Sequence, residues 1–298
     1  MTVDHREALS ALSPQARSAL TERSDEPGLW HLAGHLGGIL TLGGLIAIGV
    51  PGWFLLLLPQ GVLLVFLFTL LHETVHDTPF RTAWLNRWAG AFCGLVLFLP
   101  PVWFRWFHFA HHRYTQDPER DPELASAKPE TLPQWVLHVS GVPVWIASLR
   151  GVILNAFYTC TDGFVPKARR ADVRREARIM LAIYAIASLA SLASGSALLL
   201  WVWLIPMALG QPFLRLYLLA EHGFCPYVAN MLENTRTTFT NRIIRWLAWN
   251  MPYHAEHHSF PTVPFHKLPE LHRYLSPHLK ETERGYRRFT TRYLRRLS

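Results

Sequence analysis

The sequence predicts an all-α integral membrane protein. Four transmembrane helices form two hairpins, and a cytoplasmic helical cap holds a histidine-rich site for two metal ions. Three observations predict this. Residues 25–79 and 180–213 contain no Lys or Arg. The apolar stretches that hold these windows, residues 29–71 and about 180–220, each fit two helices at roughly 20 residues per crossing. Eight of the 16 histidines fall into three short boxes, placed where chain leaves these windows or in segments that never enter them.

The first hairpin, residues 29–71, pairs "LWHLAGHLGGILTLGGLIAIGV" (Leu29–Val50) with "WFLLLLPQGVLLVFLFTLL" (Trp53–Leu71). Pro51-Gly52 leaves room only for a tight turn between them. The second hairpin, residues 179–220, turns at Ser194-Gly195-Ser196. Pro206 and Pro212 should kink its second helix, which neighbouring helices can tolerate. The chain reads as a single domain: an N-terminal cytoplasmic segment 1–28, the first hairpin 29–71, a cytoplasmic or interfacial segment 72–178, the second hairpin 179–220 and a C-terminal cytoplasmic segment 221–298.

Within those segments, residues 5–22 read as an amphipathic helix. "WAGAFCGLVLFLPPVWFRWFHF" is apolar but broken by Pro100-Pro101, so it reads as a buried or re-entrant helix. "LPQWVLHVSGVPVWIASLRGVILNAFYTC" reads as an interfacial helix. Residues 273–298 carry eight Lys or Arg against two Glu, as a solvated helix beside anionic headgroups would.

Both turns are uncharged, so all 29 Lys and Arg fall on the opposite side or at its edge. By the positive-inside rule the termini and the metal site are cytoplasmic in a multi-pass membrane protein. The net charge of +8 could suit nucleic acid, but the aromatic windows hold no interleaved basic residues, so no nucleic-acid partner is expected. Cys93, Cys160 and Cys225 lie far apart, which speaks against a disulfide framework or a zinc knuckle.

The boxes are "HETVH" (His72, His76), "HFAHH" (His108, His111, His112) and "HAEHH" (His254, His257, His258). On a helix, residues at i, i+3 and i+4 share a face, so each box points its imidazoles one way. His222, in "LAEHG", ends the second hairpin as His72 ends the first, and should emerge at the same depth. Nine imidazoles exceed what one metal ion takes, whereas two ions fit at about four or five nitrogens each. Iron, copper, zinc and nickel all suit such ligands.

Glu73, Asp77, Asp121, Glu123, Glu221 and Glu256 lie close by in sequence. Of these, Glu73, Asp121, Glu221 and Glu256 are the candidates to accept the second N–H of bound histidines. Asn250, one turn before His254 on a continuous helix, is a candidate to hold a metal-bound water. His31, His35 and His138 read as packed residues; His5, His272 and His278 read as surface residues. His266 is ambiguous. A non-redox metal-binding or metal-transporting membrane protein is the competing class, but it would carry histidines along its spans.

The three boxes, together with "HHRYTQDPERDPE" and "NTRTTFTNRIIRWLAWNMPYHAEHHSFPTVPFHKLPELH", resemble the membrane fatty acid desaturase family. The resemblance implies two iron ions on the nine histidines, with no catalytic residue beyond the ligands, and O2 as co-substrate. It also implies a lipid or fatty acyl substrate that gains a double bond. An external electron donor of ferredoxin, rubredoxin or cytochrome b5 type is implied too, because neither residues 1–28 nor 273–298 could form a fused cytochrome domain. Lipid or alkane hydroxylases, carotenoid ketolases and alkene-forming decarboxylases share the boxes, which do not distinguish among them.

Overall fold

A computed structural model describes residues 3–297. Four helical stretches are long and apolar enough to cross a bilayer: Pro14–Ala47, Trp53–Val75, Lys167–Ala193 and Leu200–His222. Two bent helix pairs bring the possible number to six. The protein is a helical membrane protein, and its outer faces carry the large exposed apolar side chains, such as Leu40, Ile183, Ile186 and Leu192, that a lipid surround requires.

In chain order the helices begin with α1 (His5–Ser10), α2 (Pro14–Thr21), α3 (Glu26–Ala47) and α4 (Leu57–Val75). The expected single N-terminal helix is thus two. Ser13 accepts the Ala16 N–H and Pro14 opens α2, a start signal that also ends whatever precedes it. Next come α5 (Ala83–Leu97) and α6 (Pro101–Tyr114), bent by 96° at the Pro100-Pro101 break. The bend brings the end of α6 back beside the end of α4: the rings of His76 and His108 have centroids 4.9 Å apart. Both Thr82 N–H (2.8 Å) and Thr82 Oγ1 (2.7 Å) donate to Asp25, tying the start of α5 to the start of α3.

The expected interfacial helix is also two, α7 (Leu132–Ser140) and α8 (Val142–Phe157), with axes 51° apart. Gly141 makes the corner at φ 72°, where a Cβ would meet the Gln211 side chain at 2.8 Å. There follow α9 (Arg170–Ala193) and α10 (Ile205–His222), joined by a turn at Ser194-Gly195 and a π-helical turn Leu200–Leu204. The chain stays helical through Pro206 and Pro212. Pro206 lacks the N–H that an α-helix would aim at the Val202 carbonyl. Gln60 Nε2 of α4 donates to that carbonyl instead, at 3.1 Å. The polar Gln60 inside an apolar span is therefore explained by the proline opposite it.

α4 sits at the centre, against α10, α5, α3 and α6. Its approach to α10 is closest where glycine faces glycine: a Cβ on Gly61 would lie 1.9 Å from the Pro206 carbonyl oxygen. Leu64, Leu67, Leu70, Leu71, Met207 and Leu214 are buried there.

Beyond α10 the chain forms short elements: α11 (Met231–Asn234), β1 (Thr237–Phe239), α12 (Arg242–Leu247), α13 (His254–Ser259), α14 (Leu268–Leu275), β2 (Thr282–Arg284) and α15 (Tyr286–Leu297). β1 and β2 pair in parallel, Thr237 opposite Thr282, a feature with no signal in strands this short. The C-terminal region is accordingly no free helix. Phe289 and Tyr293 of α15 pack against Leu219 and Ala220 of α10. At the other end, the His5 N–H donates to Asn230 Oδ1 at 3.0 Å, and Asn230 Nδ2 donates to the Val3 carbonyl at 3.1 Å.

Candidate metal centre

Four elements deliver the nine histidines. The end of α4 carries His72 and is capped by His76; α6 carries His108, His111 and His112; α10 ends in His222; α13 consists largely of the third box. Helical spacing turns each set to one face. All nine rings meet, in two groups.

The first group is His72, His76, His108, His112 and His257, with one ring nitrogen of each within 4.8 Å of the others. The second is His111, His222 and His258 by the same measure. His254 joins it through His222, their Nε2 atoms 3.2 Å apart. The nine thus divide five and four.

In the second group every Nε2 points inward and every Nδ1 faces an outer partner. His111 Nδ1 lies 2.9 Å from Asp121 Oδ1. His222 Nδ1 meets the Asn234 carbonyl at 3.2 Å, and His258 Nδ1 meets Thr115 Oγ1 at 3.2 Å. His254 Nδ1 is 3.5 Å from Glu221 Oε1. Outer partners of this kind fix ring orientation and tautomer, leaving a lone pair on the inward nitrogen.

Metal ions fit these residues. Both ring nitrogens of His72, His112 and His257 are buried without a hydrogen-bond partner, as is Nε2 of His258. Orphaned buried polar atoms are costly unless something absent from the chain satisfies them. Inward nitrogens approach as closely as 2.9 Å (His76 to His108) and 3.2 Å (His111 to His222). Ligand bonds of about 2.0–2.2 Å place neighbouring donor atoms roughly 2.9–3.4 Å apart, so the spacing is that of a shared ion. Burial first, and the neighbouring imidazoles next, push His254, His257 and His258 well below the usual imidazole range. They are held in the neutral form that binds metal.

The predicted supporting residues separate. Asp121 stands against His111 and also accepts the Gln116 N–H at 2.8 Å. Glu221 faces His254. Glu73 is fully buried, accepts from Thr78 Oγ1 at 2.9 Å and the Phe265 N–H at 3.0 Å, and lies 3.8 Å from His257 Nδ1. Glu256 faces away from the centre: it accepts from Thr237 Oγ1 at 2.5 Å and is hydrogen-bonded to His272 Nδ1. His272 is therefore mostly buried and partnered rather than a surface residue, and His5 is buried against Asn230. Asn250 is not on the helix of His254, which begins at His254 itself. It sits at φ 58° in the turn after α12, its Nδ2 donating to the Phe265 carbonyl at 3.1 Å. His31 and His35 are hydrogen-bonded to the Trp246 and Leu63 carbonyls, at 2.7 and 2.8 Å. Asp77 pairs with Arg105 at 2.7 Å.

Thr115, Gln116 and Asn234 also support the centre, and histidine spacing does not mark them. Gln116 Nε2 donates to the His222 carbonyl at 2.9 Å, and Asn234 Nδ2 to the Thr115 carbonyl at 3.1 Å. Their one signal is position, inside the two long stretches around the second and third boxes.

The sequence profile described as fatty acid desaturase matches residues 29–290. Similar curated proteins include a sphingolipid delta(4)-desaturase DES1-like protein of Oryza sativa subsp. japonica, 23% identical over 222 residues and 74% of this chain. The sphingolipid delta(4)-desaturase/C4-monooxygenase DES2 of Homo sapiens is 29% identical over 205 residues, and sphingolipid delta(4)-desaturase DES1 of Mus musculus 27% over 209, each covering 67% of this chain. The chain spans 63%, 58% and 58% of the lengths of these three relatives. With a match across nearly all its helices and all three boxes, the chain belongs to the fatty acid desaturase family.

Proposed function

We propose that this chain is an O2-dependent oxidoreductase that introduces a double bond into a fatty acyl chain or similar lipid, with two iron ions held by the nine histidines. The carrying observation is the five-and-four division of converging imidazoles, in which both ring nitrogens of His72, His112 and His257 and Nε2 of His258 lack hydrogen-bond partners. Bound iron would supply the activation of O2 needed to remove hydrogen from an unactivated C–H bond, which no side chain can do. The residues supply the rest. Asp121, the Asn234 carbonyl, Thr115 and Glu221 orient the second group's rings. Burial keeps the third box neutral and dry.

The topology in this reading is two hairpins, Glu26–Val75 and Arg170–His222, with α5–α6 re-entrant and the cap cytoplasmic. The charge-free turns support that sidedness. A separate ferredoxin, rubredoxin or cytochrome b5 type protein would supply electrons. Sphingolipids are the first substrates to try, because the relatives' names specify them. The human relative's name also includes C4-monooxygenase, so hydroxylation is the second reading.

The test is expression with defined lipids under 18O2, followed by mass spectrometry. Desaturation gives a product two hydrogens lighter and free of 18O. A product retaining 18O would establish hydroxylation instead. Purified chain with fewer than two irons and no O2-dependent turnover would sink both.

A further inference from the structure

Carboxylates surround the histidine groups, and most face the outer nitrogens: Asp121 lies at Nδ1 of His111, Glu221 at Nδ1 of His254, Glu73 at Nδ1 of His257. Glu123 differs. Its Oε2 lies 3.0 Å from Nε2 of His111, the same nitrogen that stands 3.2 Å from His222 Nε2. Among the described ion pairs between a carboxylate and a box histidine, it is the one on an inward nitrogen.

Local structure holds Glu123 there. Asp121 caps the 3-10 turn Pro122–Ala125 by accepting the Glu123 N–H at 3.0 Å through Oδ1. That same oxygen lies 2.9 Å from His111 Nδ1. One carboxylate therefore sets both the ring of His111 and the backbone of Glu123, and Pro122 between them has its φ fixed. The Glu123 side chain is 39% exposed and reaches from the surface to a buried nitrogen. Lys128, on the same segment, gives its Nζ to the His222 carbonyl at 3.0 Å.

Two further arguments agree. Neighbouring donor atoms on one ion stand roughly 2.9–3.4 Å apart, and the Glu123–His111–His222–His254 edges run 3.0, 3.2 and 3.2 Å. The second group also has four imidazoles against five in the first, and every ligand so far is neutral. A divalent ion held by imidazoles alone carries a heavy desolvation cost, which a directly bound anionic ligand reduces more than carboxylates standing behind the rings.

We propose that Glu123 is a carboxylate ligand of the metal ion in the second group. The proposal rests on the two-metal reading above. It is tested by anaerobic Fe(II) titration of the full chain in detergent, and by the absorption spectrum after Co(II) loading. Neither readout requires turnover. Wild type should take up two ions. Glu123→Ala should bind one as wild type does and the other about tenfold or more weakly, with an altered Co(II) spectrum. Glu123→Gln, which keeps size and an oxygen donor, should fall between, and it carries the test if the truncated side chain impairs folding. Glu119→Ala, on the same segment, should match wild type. If Glu123→Ala and Glu123→Gln both bind two ions within twofold of wild type with an unchanged Co(II) spectrum, Glu123 only neutralises His111 and the proposal fails. A wild-type chain that takes up fewer than two ions overturns the two-metal reading itself, and this proposal with it.

Discussion

His112 and His258 stack face to face, ring centroids 4.0 Å apart and planes 7° from parallel, and each belongs to a different histidine group. The two histidine groups therefore share a wall. His112→Ala and His258→Ala should each weaken both sites, not one. The expected outcome is fewer than one iron retained per chain in either variant, against two in wild type, read by metal analysis after gel filtration. Retention of one tightly bound iron in both variants would show the positions to be independent.

Its place in the third box makes Glu256 a candidate partner of those histidines, but it serves the scaffold. It ties α13 to β1 through Thr237 and to α14 through His272. Removing a buried acceptor strands its donors, at about 1–3 kcal/mol. Glu256→Ala should lower the thermal midpoint while leaving iron content at the wild-type value. Loss of iron without loss of stability would contradict that assignment.

The contact between α4 and α10 has no room for a methyl group. A Cβ on Gly61 would press on the Pro206 carbonyl, and one on Gly210 would lie 2.3 Å from the Gly61 carbonyl oxygen. Overpacking of this kind costs about 1–3 kcal/mol, and more when backbone is the obstacle. Gly61→Ala should reduce thermal stability in detergent markedly; Gly44→Ala, where a Cβ meets nothing within 4 Å, should not.

His266 supplies a pH dependence outside the spans. Burial, with a lesser push from Lys267, lowers it to about 4. The folded chain keeps this ring neutral, while the unfolded chain takes up a proton near the ordinary value of about 6.5. The sign follows: stability is unaffected above that value and is lost as pH falls from 6.5 toward 4. His266→Gln should flatten the acid limb of a stability-against-pH curve measured on metal-loaded protein. Superimposable curves would remove His266 as a contributor.

The helices and the nine histidines were legible because both obey short-range rules. Apolar runs without charge mark spans, and i, i+3, i+4 spacing gathers imidazoles on one face. The same rules fail where long-range contact decides. A continuous helix would put Asn250 on the face of His254, yet the chain turns back at Trp249 and Asn250, both at positive φ, before α13 begins. His272 read as surface because its partner, Glu256, comes from another element. Gln60 in an apolar span made sense only against Pro206. Sequence places Glu123 near the second box, but only the 3-10 turn reveals which nitrogen it meets.

The membership of the two histidine groups has a consequence for how the chain is made. His72, His76, His108 and His112 are synthesised early, and their group is completed by His257, near the far end. The other group takes His111 from the early part and His222, His254 and His258 from the late part. The groups are interleaved along the chain, so neither half holds a finished set of donors. If metal ions fill these groups as proposed, loading would wait for the last box to leave the ribosome, and two separately produced halves would load only after finding each other.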